Sequence, residues 1–139
     1  VNPWLLAGGL ASGAASIAHL LCLPGGAAAY RRMGAGERMA RAVARGEHWP
    51  HLVTLGIAAM LALWACWALS GTQVIGRLPL LRPVLVAITT MYLARAAALP
   101  VMLRLMPDRS RGFLIGSSLV AFGIGAVHAV GLLTNWREL

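Results

Sequence analysis

Four stretches of about twenty residues, each with at most one Arg, Lys, Asp, Glu or His inside it apart from an end position, constrain this chain more than any other feature. They cover residues 4–23, 51–69, 84–103 and 113–133. The hydrocarbon core of a bilayer is crossed by about 20 apolar residues in a helix. A helix bonds its own backbone groups, which lipid cannot do. None of the four stretches alternates apolar and polar residues as a membrane strand would. Composition closes the argument: 59 % of the 139 residues are hydrophobic, 12 % are charged, and the mean hydropathy is +0.74. A soluble domain carries about 25 % charged residues, and a small one needs polar groups over most of its surface. A soluble globular domain, a disordered chain and a disulfide-stapled secreted domain are therefore excluded. The expected fold is all-α: a polytopic membrane protein, one domain over 1–139, built as a bundle of four transmembrane helices.

The formal net charge is +8, and every basic residue is Arg. Nucleic-acid binding is the usual reading of such a balance. Here the arginines sit between the apolar stretches, as the positive-inside rule requires. Arg31, Arg32, Arg38, Arg41 and Arg45 lie in the first connection, and Arg104, Arg109 and Arg111 in the third. Arg77, Arg82 and Arg137 lie on the opposite side. This bias predicts a bacterial inner-membrane protein with both termini periplasmic and loops 1 and 3 cytoplasmic. Trp4, Trp64, Trp67 and Trp136 then fall near the outer boundary and Trp49 near the inner one, where aromatic belts form. Span 1 has no basic residue ahead of it and Arg31 and Arg32 behind it, so it is expected to stay as a span rather than act as a cleaved signal.

Loop 1 is the only long connection. After Gly34 and Gly36, residues 37–45 read as a short amphipathic helix at the membrane interface. Glu37 and Arg41 form an i,i+4 pair, Arg38, Arg41 and Arg45 share one side, and Met39, Ala40 and Val43 face the membrane. Such a helix suits anionic headgroups; an ordinary solvated loop is the plain alternative. Small residues recur at four-residue spacing: Gly8, Ser12 and Ser16, Gly9 and Gly13, and Ser117, Ala121, Gly125 and Ala129. These stripes allow close helix approach, either inside the bundle or at a homo-oligomer face.

The segments Gly34-Ala35-Gly36-Glu37, Leu52-Val53-Thr54-Leu55-Gly56, Ser70-Gly71 and Leu78-Pro79-Leu80-Leu81-Arg82 resemble those of small uncharacterised bacterial four-helix inner-membrane proteins. The resemblance implies a membrane location and no function.

Arg95 is the strongest chemical signal. It stands twelve residues into the third stretch, about 16 Å from its outer end. A charge at such depth costs a few kcal/mol and normally faces a bundle interior or a wet cavity. No stretch contains an acid to pair with it, so its partners are expected to be hydroxyls, carbonyls, water, a loop acid or a bound anion. Tyr92, at i−3, is the nearest hydroxyl in sequence. A purely structural reading gives Arg95 the carbonyl of Ala96, which Pro100 leaves free. His19, Thr54, Ser117 and Ser118 fall about 4–8 Å deep at the same end of the bundle. Together with Arg95 and Tyr92 they would line a cytoplasm-facing pocket for a carboxylate, a phosphate or a lipid headgroup. The plain alternative is that each hydroxyl bonds within its own helix.

The histidines allow a second reading. His19 ends span 1 and His51 begins span 2, so the two imidazoles could ligate a haem b iron. Glu47, His48 and His51 form a weaker candidate metal set. His128 lies far from the others. Cys22 and Cys66 belong near opposite membrane faces and cannot form a disulfide. No phosphate-binding loop, nucleophile elbow or zinc-protease motif is present. All four acids, Glu37, Glu47, Asp108 and Glu138, lie outside the spans. This disfavours a carrier driven through a buried carboxylate, while His19 or His128 could still move a proton. The expected function is binding or transport of an anionic small molecule or lipid. The alternatives are a haem-bearing electron-transfer subunit and a structural subunit of a larger membrane complex.

Overall fold

A computed structural model of the chain describes residues 1–139 and contains only helices. They are α1 (Pro3–Cys22), α2 (Gly26–Arg32), α3 (Glu37–Ala44), α4 (Trp49–Gly71), α5 (Leu81–Ala97), α6 (Leu99–Leu105) and α7 (Arg111–Asn135). Three of them, α1, α4 and α7, are long and apolar enough to cross a membrane, and α5 with α6 makes a fourth if the pair counts as one span. The chain is thus consistent with a multi-pass membrane protein.

Local chemistry sets the helix ends. The Asn2 side chain accepts from the backbone N–H of Trp4 and of Leu5, both at 3.0 Å, ahead of Pro3. That is an N-cap followed by a proline where no donor is missed. Ser110 caps α7 in the same way through the Phe113 N–H at 3.3 Å. The expected third span is interrupted: α6 departs from α5 by 53° at a break around Ala98. Pro100 lacks the N–H that would have bonded Ala96 and crowds the preceding turn, so the bend falls where proline puts it. No residue of α6 is buried.

Two antiparallel pairs form the body. α1 packs most extensively against α4, and α5 against α7. α1 also lies along α7, whereas α4 and α5, although consecutive long helices, meet only lightly. Small residues make these approaches possible. A side chain on Gly9 would meet Leu69 and the Ala65 carbonyl, one on Gly125 would meet Leu93, and one on Gly131 would come within 3.0 Å of the Leu5 backbone. The small-residue stripes therefore work inside the molecule. Leu5, Leu85, Ile88, Tyr92, Ile124 and Leu132 belong to one apolar core. The outward faces are also apolar: Leu10, Leu21, Leu52, Leu119 and Leu133 are each more than 60 % exposed. Meanwhile Ser12, Ser16, Thr54, Thr89, Ser118 and His128 are buried. A water-soluble domain has the reverse arrangement.

Loop 1 departs from expectation. It contains two helices, because the Ala-rich stretch after Gly25 and Gly26 forms α2. The expected amphipathic helix is present as α3, but its apolar side turns inward. Ala40 packs with Tyr30 and Cys22, and Met39 and Val43 lie against that cluster. The α2–α3 hairpin supplies its own partner surface, which removes the need for Met39, Ala40 and Val43 to face a membrane. The Glu37–Arg41 pair is also the lesser one, at 3.8 Å, since Arg31 grips Glu37 through two bonds of 3.0 and 2.9 Å. Hydrogen bonding to Arg31 holds the Glu37 carboxyl below the usual carboxylate range. Cys22 and Cys66 are both free.

Candidate functional site

The polar residues separate into three groups. Arg95, near the end of α5, reaches across to α7. Its Nη1 donates to Ser118 Oγ at 2.9 Å and its Nη2 to Ser117 Oγ at 3.0 Å. Sequence adjacency puts the two hydroxyls on neighbouring directions of one helix, which suits the spread of a guanidinium fork. The Ser117 hydroxyl in turn donates to the Leu114 carbonyl at 3.2 Å. The Ser118 hydroxyl has no acceptor within the protein, and neither do the remaining guanidinium N–H groups. A guanidinium has five N–H donors, so most of the donor capacity here is unspent. No acid forms an ion pair with Arg95: the ion pairs are Arg31 and Arg41 with Glu37, and Arg45 with Glu47. Arg109 lies in the turn that leads into α7. The Arg95 guanidinium thus has donors in surplus and no ion-pair partner.

The other expected lining residues do not bond to Arg95. Tyr92 points into the core, where its hydroxyl pairs with Ser12 Oγ at 2.8 Å. His19 Nδ1 donates to the Ala15 carbonyl at 2.7 Å, one turn back in its own helix. Thr54 donates to the Pro50 carbonyl at 2.8 Å and lies 3.2 Å from the Tyr30 hydroxyl. The Ala96 carbonyl is not a partner of Arg95, because the serines of α7 take the guanidinium instead.

The second group joins the hairpin to α4. Tyr30, 1 % exposed, bonds His51 Nδ1 at 2.8 Å while its hydroxyl also meets Thr54. The Thr54 hydroxyl is shared as donor between the Pro50 carbonyl and the Tyr30 hydroxyl, and Tyr30 pairs with His51 Nδ1. Nε2 of His51 makes no hydrogen bond within the protein, and neither does Nε2 of His19. Sequence reading missed Tyr30, because a lone tyrosine in a loop carries no spacing signal. The weaker metal set does not assemble: no three His, Cys, Asp or Glu side chains cluster to hold an ion. The Glu47 carboxylate instead accepts from Arg45 at 2.7 Å and Trp49 at 2.8 Å, which lowers its pKa.

The third group lies in the half of the molecule nearer the termini. His128 is completely buried. Its Nδ1 donates to the Ile124 carbonyl at 2.9 Å, and its Nε2 has no partner. The ring lies 5.6 Å from the Tyr92 ring, which in turn meets Trp64 at 5.1 Å. Gly8 closes the other side, where an added Cβ would stand 2.5 Å from His128 Cε1.

No protein-family model, curated protein or solved structure matches this chain, so its geometry carries the functional reading.

Proposed function

We propose that this is a bacterial inner-membrane protein that binds an anionic small molecule or a lipid headgroup at Arg95, with Ser117 and Ser118 as hydrogen-bond partners. In this reading α1, α4, α5–α6 and α7 form a four-helix bundle. Both termini lie in the periplasm, the Arg95 end opens to the cytoplasm, and α3 rests at the interface with its arginines towards headgroups. The observation that carries the reading is a guanidinium within apolar helices that bonds two neutral hydroxyls and no acid. Charges in such places usually serve a ligand path. A carboxylate or phosphate would accept from the unspent Arg95 N–H groups and from Ser118, with Arg109 adding charge. His19 on α1, Thr54 on α4 and Tyr92 on α5 itself are engaged by other partners and stand outside the first contacts of Arg95.

The test is thermal stabilisation of purified protein in detergent by inorganic phosphate, acetate and short-chain phosphatidylglycerol. Wild type should gain Tm with at least one of these. Arg95→Ala should fold and gain nothing, and Arg95→Lys should recover part of the effect. Equal stabilisation of Arg95→Ala would overturn the assignment.

A further inference from the structure

Resting on that reading, we propose that the α2–α3 hairpin is a lid over the Arg95 site, hinged at Gly26 and Gly46. The tip of the hairpin sits where it would have to sit. A side chain on Gly34 would stand 2.1 Å from the Phe113 ring, so the bare backbone lies directly on that ring. Phe113 and Ser117 are one turn apart on the same face of α7, about 6 Å along its axis. Two residues further along the tip, a side chain on Gly36 would meet Asp108 Oδ2 at 2.6 Å and Arg109 Cγ at 3.3 Å. Asp108 and Arg109 form the turn that leads into α7, the helix that carries Ser117 and Ser118. The tip therefore touches the turn and the ring that border the site at the hairpin end.

The hinges differ from the tip. Gly26 and Gly46 have φ of +62° and +78°, and nothing lies within 4 Å of where their side chains would be. Backbone in this region is open to glycine and strained for other residues. The two positions flank the hairpin and can absorb rotation without losing packing. Between tip and hinge, the Tyr30 hydroxyl holds the hairpin to His51 and Thr54 of α4. The latch is thus a few hydrogen bonds and a small apolar cluster of Cys22, Tyr30 and Ala40, separate from the main core. Such a unit opens at lower cost than the body does.

The experiment reads access without any ligand. Cys22 and Cys66 are replaced by Ala, Ser118 is replaced by Cys, and labelling by a charged methanethiosulfonate is timed in nanodiscs. Gly34→Val drives a side chain into Phe113 and should displace the tip, raising the labelling rate about tenfold. Tyr30→Phe keeps the ring, removes the bonds to His51 and Thr54, and should raise the rate about fivefold. Tyr30→Phe decides the matter if Gly34→Val fails to fold. Unchanged labelling in a folded variant would overturn the lid. Failure of the anion site would show separately, as absence of stabilisation by phosphate, acetate or lipid, while labelling could still respond to the hinge variants.

Discussion

His128 and Arg95 are both ionisable residues inside apolar helices, and the molecule treats them in opposite ways. His128 is sealed by Gly8, Tyr92 and its own helix, with one nitrogen bonded to Ile124 and the other unpaired. Arg95 is half-buried, holds two serines, and keeps donors to spare. The His128 region is closed off by packing. The Arg95 region is short of acceptors, so a ligand adds what the protein lacks. An ionisable residue in a span is therefore not in itself a site; its unspent hydrogen-bonding capacity and its access decide.

The sharpest way to test this contrast is to crowd the closed region. Gly8→Ala places a Cβ against a ring that cannot retreat, and should cost about 1–3 kcal/mol in stability. Gly56→Ala, on an α4 position with nothing nearby, should instead stabilise by up to about 1 kcal/mol. Reversible unfolding in detergent compares the two, and similar losses would mean that the His128 region is not tightly closed. Tyr30→Phe should lose about 1 kcal/mol, in line with a net hydrogen bond, and should be felt at the hairpin before the body. Hydrogen exchange resolved along the chain separates these.

Arg95→Ala should change stability less than Gly8→Ala. Ser117 already donates to the Leu114 carbonyl, and Ser118 can turn to its own helix. The same variant should abolish anion-induced stabilisation, so a large loss of Tm with unchanged ligand response would reverse the contrast. The smallest effect concerns pH. Glu37 is held below its ordinary pKa by Arg31, so its contribution is complete above the ordinary value and fades as pH falls through the lowered one. Hairpin exchange should quicken in that acid range, and Arg31→Ala should flatten the dependence. Because the pair is exposed, the change should be slight.

Much of the architecture was legible in the residues. Hydrophobic runs located α1, α4 and α7 to within a few positions, whereas the single span expected over 84–103 is broken near Pro100 into α5 and α6. At the site, depth and the absence of acids singled out Arg95, and both Ser117 and Ser118 were among its expected partners. Tyr92, Thr54 and His19 were grouped with Arg95 because they share its depth. Depth along a helix says nothing of direction around it, and Tyr92 turns to Ser12 while His19 bonds its own backbone. The inward turn of α3 escaped for a related reason: an amphipathic pattern requires some apolar surface without saying whose.

What the sequence by itself determined is the four apolar helical stretches and the isolation of one arginine among them. These follow from local quantities: backbone bonding, residue hydropathy and the missing proton of proline. Only the tertiary structure decided that Arg95 meets two serines, that Gly8 presses on His128, and that a glycine-rich tip rests on Phe113. Those outcomes depend on which helix faces meet and at what register, and close contact between distant residues is set by the packing of the whole molecule.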